Sequence, residues 1–106
     1  MAQIPDIINK TINNYLRVLK KNSIPVKEAV LFGSYATGKH QKWSDIDIAL
    51  VSSIFDGNRI SDKDKIRALT LSVSSELEVI PFAPKDFTSD NPFAKEIMST
   101  GIRIIL

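Results

Sequence analysis

The sequence predicts an α/β fold on three observations. Two short runs, Ala29–Phe32 and Ile46–Val51, are almost wholly apolar, as strands buried inside a sheet are. A stretch with helical spacing (Ile66, Leu69, Val73) separates the second run from a third short strand around Leu77–Ile80. A helix crossing between strands is the building unit of layered α/β domains. At 106 residues the chain is expected to be a single domain, 1–106, with one core and no room for a second.

The elements follow in order. Ile4-Pro5-Asp6 reads as a helix start, with proline early and an acid in the first turn. Ile8, Ile12, Tyr15, Leu16 and Leu19 recur at helical spacing as a core-facing stripe, and Asn22 and Pro25 end the helix. Ala29–Phe32 then enters a Gly33-Ser34 turn. Tyr35-Ala36-Thr37 makes at most one helical turn, closed by Gly38. In the polar link that follows, Lys39 and Lys42 are either solvated or in reach of a phosphate, and His40 reads as a surface residue. Trp43 either packs on the sheet edge or stacks on a base. After Ile46–Val51 comes a turn-rich loop, 52–58, in which Ile54 and Phe55 pin the loop or face a partner. Ser61-Asp62-Lys63-Asp64 resembles a capping box opening the crossover helix. Asn91-Pro92 is an N-cap followed by proline at the first helical position. Phe93, Ile97 and Met98 give this last helix its apolar side, and Gly101 stops it. Ile102–Leu106 closes as a short strand or a packed tail.

Composition narrows the function classes. The 43% hydrophobic and 25% charged fractions are those of an ordinary globule. No apolar stretch is long enough to span a membrane and no signal-peptide pattern is present, so a cytoplasmic protein with no membrane partner is expected. The absence of cysteine excludes disulfides and thiolate metal sites, and one histidine argues against a His-rich zinc site. The net charge of +2 is unevenly spread, with seven Lys/Arg against two acids in residues 1–43 and seven against ten in 44–106. A basic front half either attracts phosphates or an acidic partner, or is simply a solvated helix face.

The chemistry concentrates in Asp45-Ile46-Asp47. Alternate strand residues share a face, so the two aspartates point one way while Ile46, Ile48 and Leu50 point the other. Their Cα atoms should lie about 7 Å apart, from roughly 3.3 Å of rise per residue. Asp is disfavoured in strands and two on one face repel, a repulsion that a divalent cation with a taste for hard oxygen ligands removes. A solvated face with lysine partners is the plain alternative for the pair alone. The Gly33-Ser34 turn adds a second element, because it lets backbone N–H groups and a hydroxyl approach phosphate oxygens.

Gly33-Ser34, ten intervening residues and Asp45-Ile46-Asp47 together resemble the G-S-x10-D-x-D signature of the DNA polymerase β-like nucleotidyltransferases. The chain is most similar to their minimal nucleotidyltransferase (MNT) domains, the MntA-like antitoxins, and the likeness covers nearly all of it. The resemblance implies a nucleotidyltransferase fold with a small mixed sheet against helices. It implies Mg²⁺, two ions in the family, and ATP or another nucleoside triphosphate as substrate. Asp45 and Asp47 would be metal-holding catalytic residues, and Gly33 and Ser34 would bind the phosphates. A third acid on the neighbouring strand maps to Glu78, as metal ligand or base, where the family often has Asp; Glu76, at the strand edge, is the lesser candidate. The acceptor hydroxyl would come from a separate molecule, a tyrosine of a small helical HEPN-type toxin, with no nucleic-acid partner expected and homo-oligomerisation left open. A nucleotide-binding module that neutralises its partner by contact is the alternative, and transfer to a small molecule or an RNA end is a weaker third.

Overall fold

The computed structural model describes residues 4–42 and 44–106, so the expectation for Trp43 lies outside the described residues. Strands β1 (Glu28–Phe32), β2 (Ile46–Val51), β3 (Leu77–Phe82) and β4 (Ile102–Arg103) form a four-stranded sheet in the order β3-β2-β1-β4. β1 runs antiparallel to β2 and β4, and β2 runs parallel to β3. The sheet is therefore mixed, as expected. A parallel pair needs a crossover, which helix α3 (Arg59–Val73) supplies between β2 and β3.

Each sheet face has its own core. Ala29, Leu31, Ile46, Ile48, Leu50, Leu77 and Val79 face helix α1 (Asp6–Lys21) and α3. Ile8, Ile12, Tyr15 and Leu19 are buried there as the periodicity predicts, with Leu16 partly buried beside them. Fully burying one such aliphatic side chain stabilises the fold by roughly 1.5–3 kcal/mol. The opposite face carries Val30, Ala49, Val51 and Phe82 beneath Phe87 and helix α4 (Pro92–Thr100). That cover is partial. Phe32 and Asp47 are only half-buried and Glu78 is exposed, so one end of this face lies open.

Local rules explain most boundaries. Asn91 accepts hydrogen bonds from the backbone N–H groups of Phe93 (3.0 Å) and Ala94 (3.3 Å), with Pro92 at the first position of α4. Gly38 closes the one-turn helix α2 (Ser34–Thr37) in the left-handed region, φ 78°. β3 reaches past Pro81 to Phe82, which an edge strand tolerates because no ladder bond is needed on its outer side. Phe55 is buried and Ile54 partly so, which settles their loop-pinning role. The final segment is both strand and tail: β4 pairs with β1, Ile104 packs on the core, and Ile105 and Leu106 are exposed.

Three expectations need correction. Helix α3 starts at Arg59 rather than at the Ser61 box. Asn58 is its N-cap and accepts from the Ser61 N–H at 3.2 Å. Asp62, no capping residue, is fully buried and accepts from the N–H groups of Asp56 (3.0 Å) and Gly57 (2.9 Å), with the Lys65 ammonium at 3.1 Å. Burial is the largest single effect and pushes its carboxyl up, but these bonds together outweigh it and hold the group below the usual range. The sequence pattern missed this because an acid at helical spacing looks solvated until the loop folds over it. Second, α4 buries Ala94 and Ile97, whereas Phe93 and Met98 stay about 40% exposed, at 40% and 39%. Third, His40 is half-buried rather than on the surface and stacks on Tyr35, ring centroids 4.6 Å apart.

Candidate functional site

The register of the sheet builds the site. Asp47 is the Cα partner of Phe32 on one side and of Glu78 on the other, so the three residues form one transverse row. Phe32 is the last residue of β1, and the chain turns immediately at Gly33 and Ser34. A register slip of one residue would send Asp47 into the helix-covered core. The apolar partners Ile46, Ile48 and Leu50, all buried against α1 and α3, prevent that slip.

Gly33 is there for two physical reasons. Its backbone, φ 74° and ψ −150°, lies in a region that essentially only glycine occupies. A Cβ at Gly33 would run into the Asp47 carboxylate, overlapping Oδ2 and lying 3.1 Å from Cγ. The turn therefore sits directly against the Asp47 carboxylate, where a side chain would fill the space. The Gly33 carbonyl accepts from the Ala36 and Thr37 N–H groups at 3.1 and 3.2 Å, which fixes the turn.

The electrostatics agree with that crowding. Asp47 is pushed above the usual carboxylate range, first by burial, then by the like charges of Asp45 and Glu78. Asp45, one residue ahead of β2, is exposed. Asp45 and Glu78 thus both lie within electrostatic reach of Asp47. The three are not gathered tightly: among the described residues no group of three or more His, Asp or Glu side chains is disposed to hold a metal ion. Glu78 instead pairs with Lys63 of α3 at 2.8 Å, with both side chains well exposed. Lys63 is a neighbour that spacing alone had not singled out; a lysine one turn into the crossover helix is its only sequence signal. Glu76 lies just ahead of β3 and its carbonyl accepts from the Ile46 N–H at 2.9 Å. Lys39 and Lys42 are exposed in the link after α2.

The Asp47 carboxylate at the open end of the sheet lies against Gly33, and Asp45 is exposed one residue ahead of β2, so hard oxygen donors adjoin a turn with room beside it. That donor set fits Mg²⁺, with Asp45 and Asp47 as the residues that would hold it.

A glycine-serine turn against an acid-bearing strand in a mixed, helix-backed sheet is the layout of the nucleotide-transferring α/β proteins. The chain belongs to the nucleotidyltransferase domain family, which matches it over residues 12–104. No curated protein shows significant similarity to it. Among solved structures it is similar to a toxin-antitoxin with AMP-PNP, at 24% identity and TM-score 0.61, over 86% of this chain and 69% of that one. A mutant of the toxin-antitoxin MntA-HpeT matches at 20% identity and TM-score 0.59, over 97% and 73% of the two chains. A protein from Sulfolobus solfataricus assigned as a nucleotidyltransferase matches at 18% and TM-score 0.61, over 97% and 89%. At these identities the likeness is one of fold. Among the described residues no helix is long and apolar enough to cross a membrane.

Proposed function

We propose that this domain moves a nucleoside monophosphate, AMP from ATP, to a hydroxyl of a separate protein and thereby acts as the antitoxin of a toxin-antitoxin pair. The observation that carries the reading is the Gly33 turn pressed against Asp47, in register with Phe32 and Glu78. The family supports the reaction class, and the toxin-antitoxin neighbours support the setting. The tyrosine of a helical HEPN-type toxin is the acceptor we assign.

In this reading Gly33 and Ser34 orient the triphosphate, so that its α-phosphorus lies in line with the incoming hydroxyl. Asp45 and Asp47 would hold Mg²⁺, which would supply charge neutralisation at the phosphate oxygens. The acceptor oxygen forms the new bond to the α-phosphorus, the bond to the bridging oxygen breaks, and pyrophosphate leaves with that electron pair. The acceptor proton passes to a carboxylate, for which Glu78 is the candidate. Burial and like charge at Asp47 favour binding of a cation over leaving the carboxylates bare.

A second reading has its own observation: Glu78 is engaged by Lys63. A domain whose third acid stays so engaged would hold nucleotide and neutralise its partner by contact. Incubation of the toxin partner with ATP, Mg²⁺ and the domain, followed by mass spectrometry, separates the two. A mass increase of one AMP, absent with Asp47→Asn, supports transfer. A stable complex with unmodified partner supports contact alone.

A further inference from the structure

An aromatic shelf adjoins the site on the same sheet face. Phe32, directly opposite Asp47, meets the Phe93 ring edge-on at a centroid distance of 6.1 Å. Phe93 in turn lies 5.9 Å from Phe82, which is itself buried against Phe87 at 5.1 Å. Phe93 is 40% exposed at the start of α4, although the helix has a buried side formed by Ala94 and Ile97. A ring held by two other rings yet left open to solvent is poised to be covered by something flat and apolar.

Arg59 sits over this shelf. Its guanidinium carbon lies 5.5 Å from the Phe93 centroid and 5.7 Å from that of Phe82, within cation–π range. Among the described residues no carboxylate forms an ion pair with it. Arg59 opens α3 directly after the loop that Asp62 clamps, so its position is set by a rigid support. A planar cation beside an open phenyl ring offers stacking surface and N–H donors together, which is how proteins hold an unpaired base.

We propose that Phe93 and Arg59, backed by Phe32 and Phe82, form the seat for the nucleobase of the substrate. The inference rests on the reading that Gly33, Ser34, Asp45 and Asp47 hold the triphosphate, and it adds a second contact region on the same ligand. Phe32 links the two, lying in register with Asp47 and in ring contact with Phe93. A nucleotide anchored by its phosphates at Gly33 has its base carried across Phe32 onto the shelf.

The test compares Mg-ATP with Mg-tripolyphosphate, which has phosphates and no base, by titration calorimetry on folded protein. The expected result is that Phe93→Ala weakens Mg-ATP roughly 5- to 150-fold, the range of base–aromatic stacking, and leaves tripolyphosphate unchanged. Phe93→Tyr keeps the ring and should bind ATP as the wild type does. Arg59→Ala should also lose ATP selectively. Circular dichroism melts of each variant check that the fold survives. Wild-type-like ATP binding by Phe93→Ala overturns the base seat alone. An equal loss of ATP and tripolyphosphate in Phe93→Ala or Arg59→Ala also overturns it, since the shelf would then act on phosphate. A wild-type protein that binds neither ligand removes the triphosphate reading and the seat with it.

Discussion

Gly33→Ala is the sharpest perturbation available, because the structure assigns it two separable penalties. Placing an L residue at φ 74°, ψ −150° costs about 1–3 kcal/mol of backbone strain. Alanine also restricts the unfolded chain, which returns roughly 0.4–1 kcal/mol. The net loss of stability is about 1–2 kcal/mol, at about 4–8 °C in Tm for each kcal/mol in a domain of this size. The second penalty falls on the carboxylate: the new Cβ would overlap Oδ2, so Asp47 must rotate away from the turn. Chemical denaturation reads the first effect and calorimetric binding of Mg-ATP reads the second. A cycle with Asp47→Ala separates them. If the clash matters, Gly33→Ala is less harmful in the Asp47→Ala background, and the residue of the loss is strain. A Gly33→Ala protein that melts with the wild type and binds Mg-ATP equally well refutes the close-approach argument.

Two aspartates should respond to pH with opposite signs. Asp62 is held below its ordinary value in the fold, so its contribution is complete above the unfolded-state value near 3.8 and fades as pH falls through the lower folded value. Asp62→Asn should lose about 3 kcal/mol at pH 7 by urea denaturation, as expected for breaking a buried charged network, and should converge with the wild type in strong acid. Asp47 is raised by burial and by Asp45 and Glu78, so its charge penalises the metal-free fold above that value, and the penalty disappears as pH falls through it. Metal-free Asp47→Asn should therefore melt no lower than the wild type at pH 7, while excess Mg²⁺ should raise the Tm of the wild type only. Lys63→Ala breaks an exposed pair with Glu78, so stability should change by less than about 1 kcal/mol; a change in AMP transfer beyond that of a control surface lysine would tie Glu78 to the chemistry. Tyr15→Phe removes the buried 2.7 Å bond to Thr70 and should cost about 1 kcal/mol, since the Thr70 hydroxyl still donates to the Ile66 carbonyl at 2.9 Å. The Tyr15 phenol itself is pushed up to about 12 by burial and should stay neutral throughout this range.

Residues whose signal is local were legible from the amino-acid order alone. The stripe Ile8-Ile12-Tyr15-Leu19, the apolar runs at β1 and β2, the Asn91-Pro92 start and the Gly38 stop each state their conformation within a few positions. Alternation places Asp47 on the face opposite Ile46 and Ile48, but Asp45 falls one residue ahead of β2, where the strand rule that paired the two aspartates does not reach. The Ser61 box misleads where order alone is read: α3 starts at Arg59 under the Asn58 cap, and Asp62 lies inside the loop, where three donors reach it.

What the chain's order determined by itself is therefore the set of elements and the residue types at the turn and the acid strand. Only the assembled sheet decided that Phe32, Asp47 and Glu78 share one row, that Gly33 lies against the Asp47 carboxylate, and that Glu78 reaches Lys63. It likewise decided that Phe93 stays open beneath Arg59 rather than joining the core. The reason is range. Periodicity and capping are read within a turn or two of backbone, whereas register and the approach of one strand's end to another's side chain depend on residues far apart in sequence, brought together by burying both faces of the sheet.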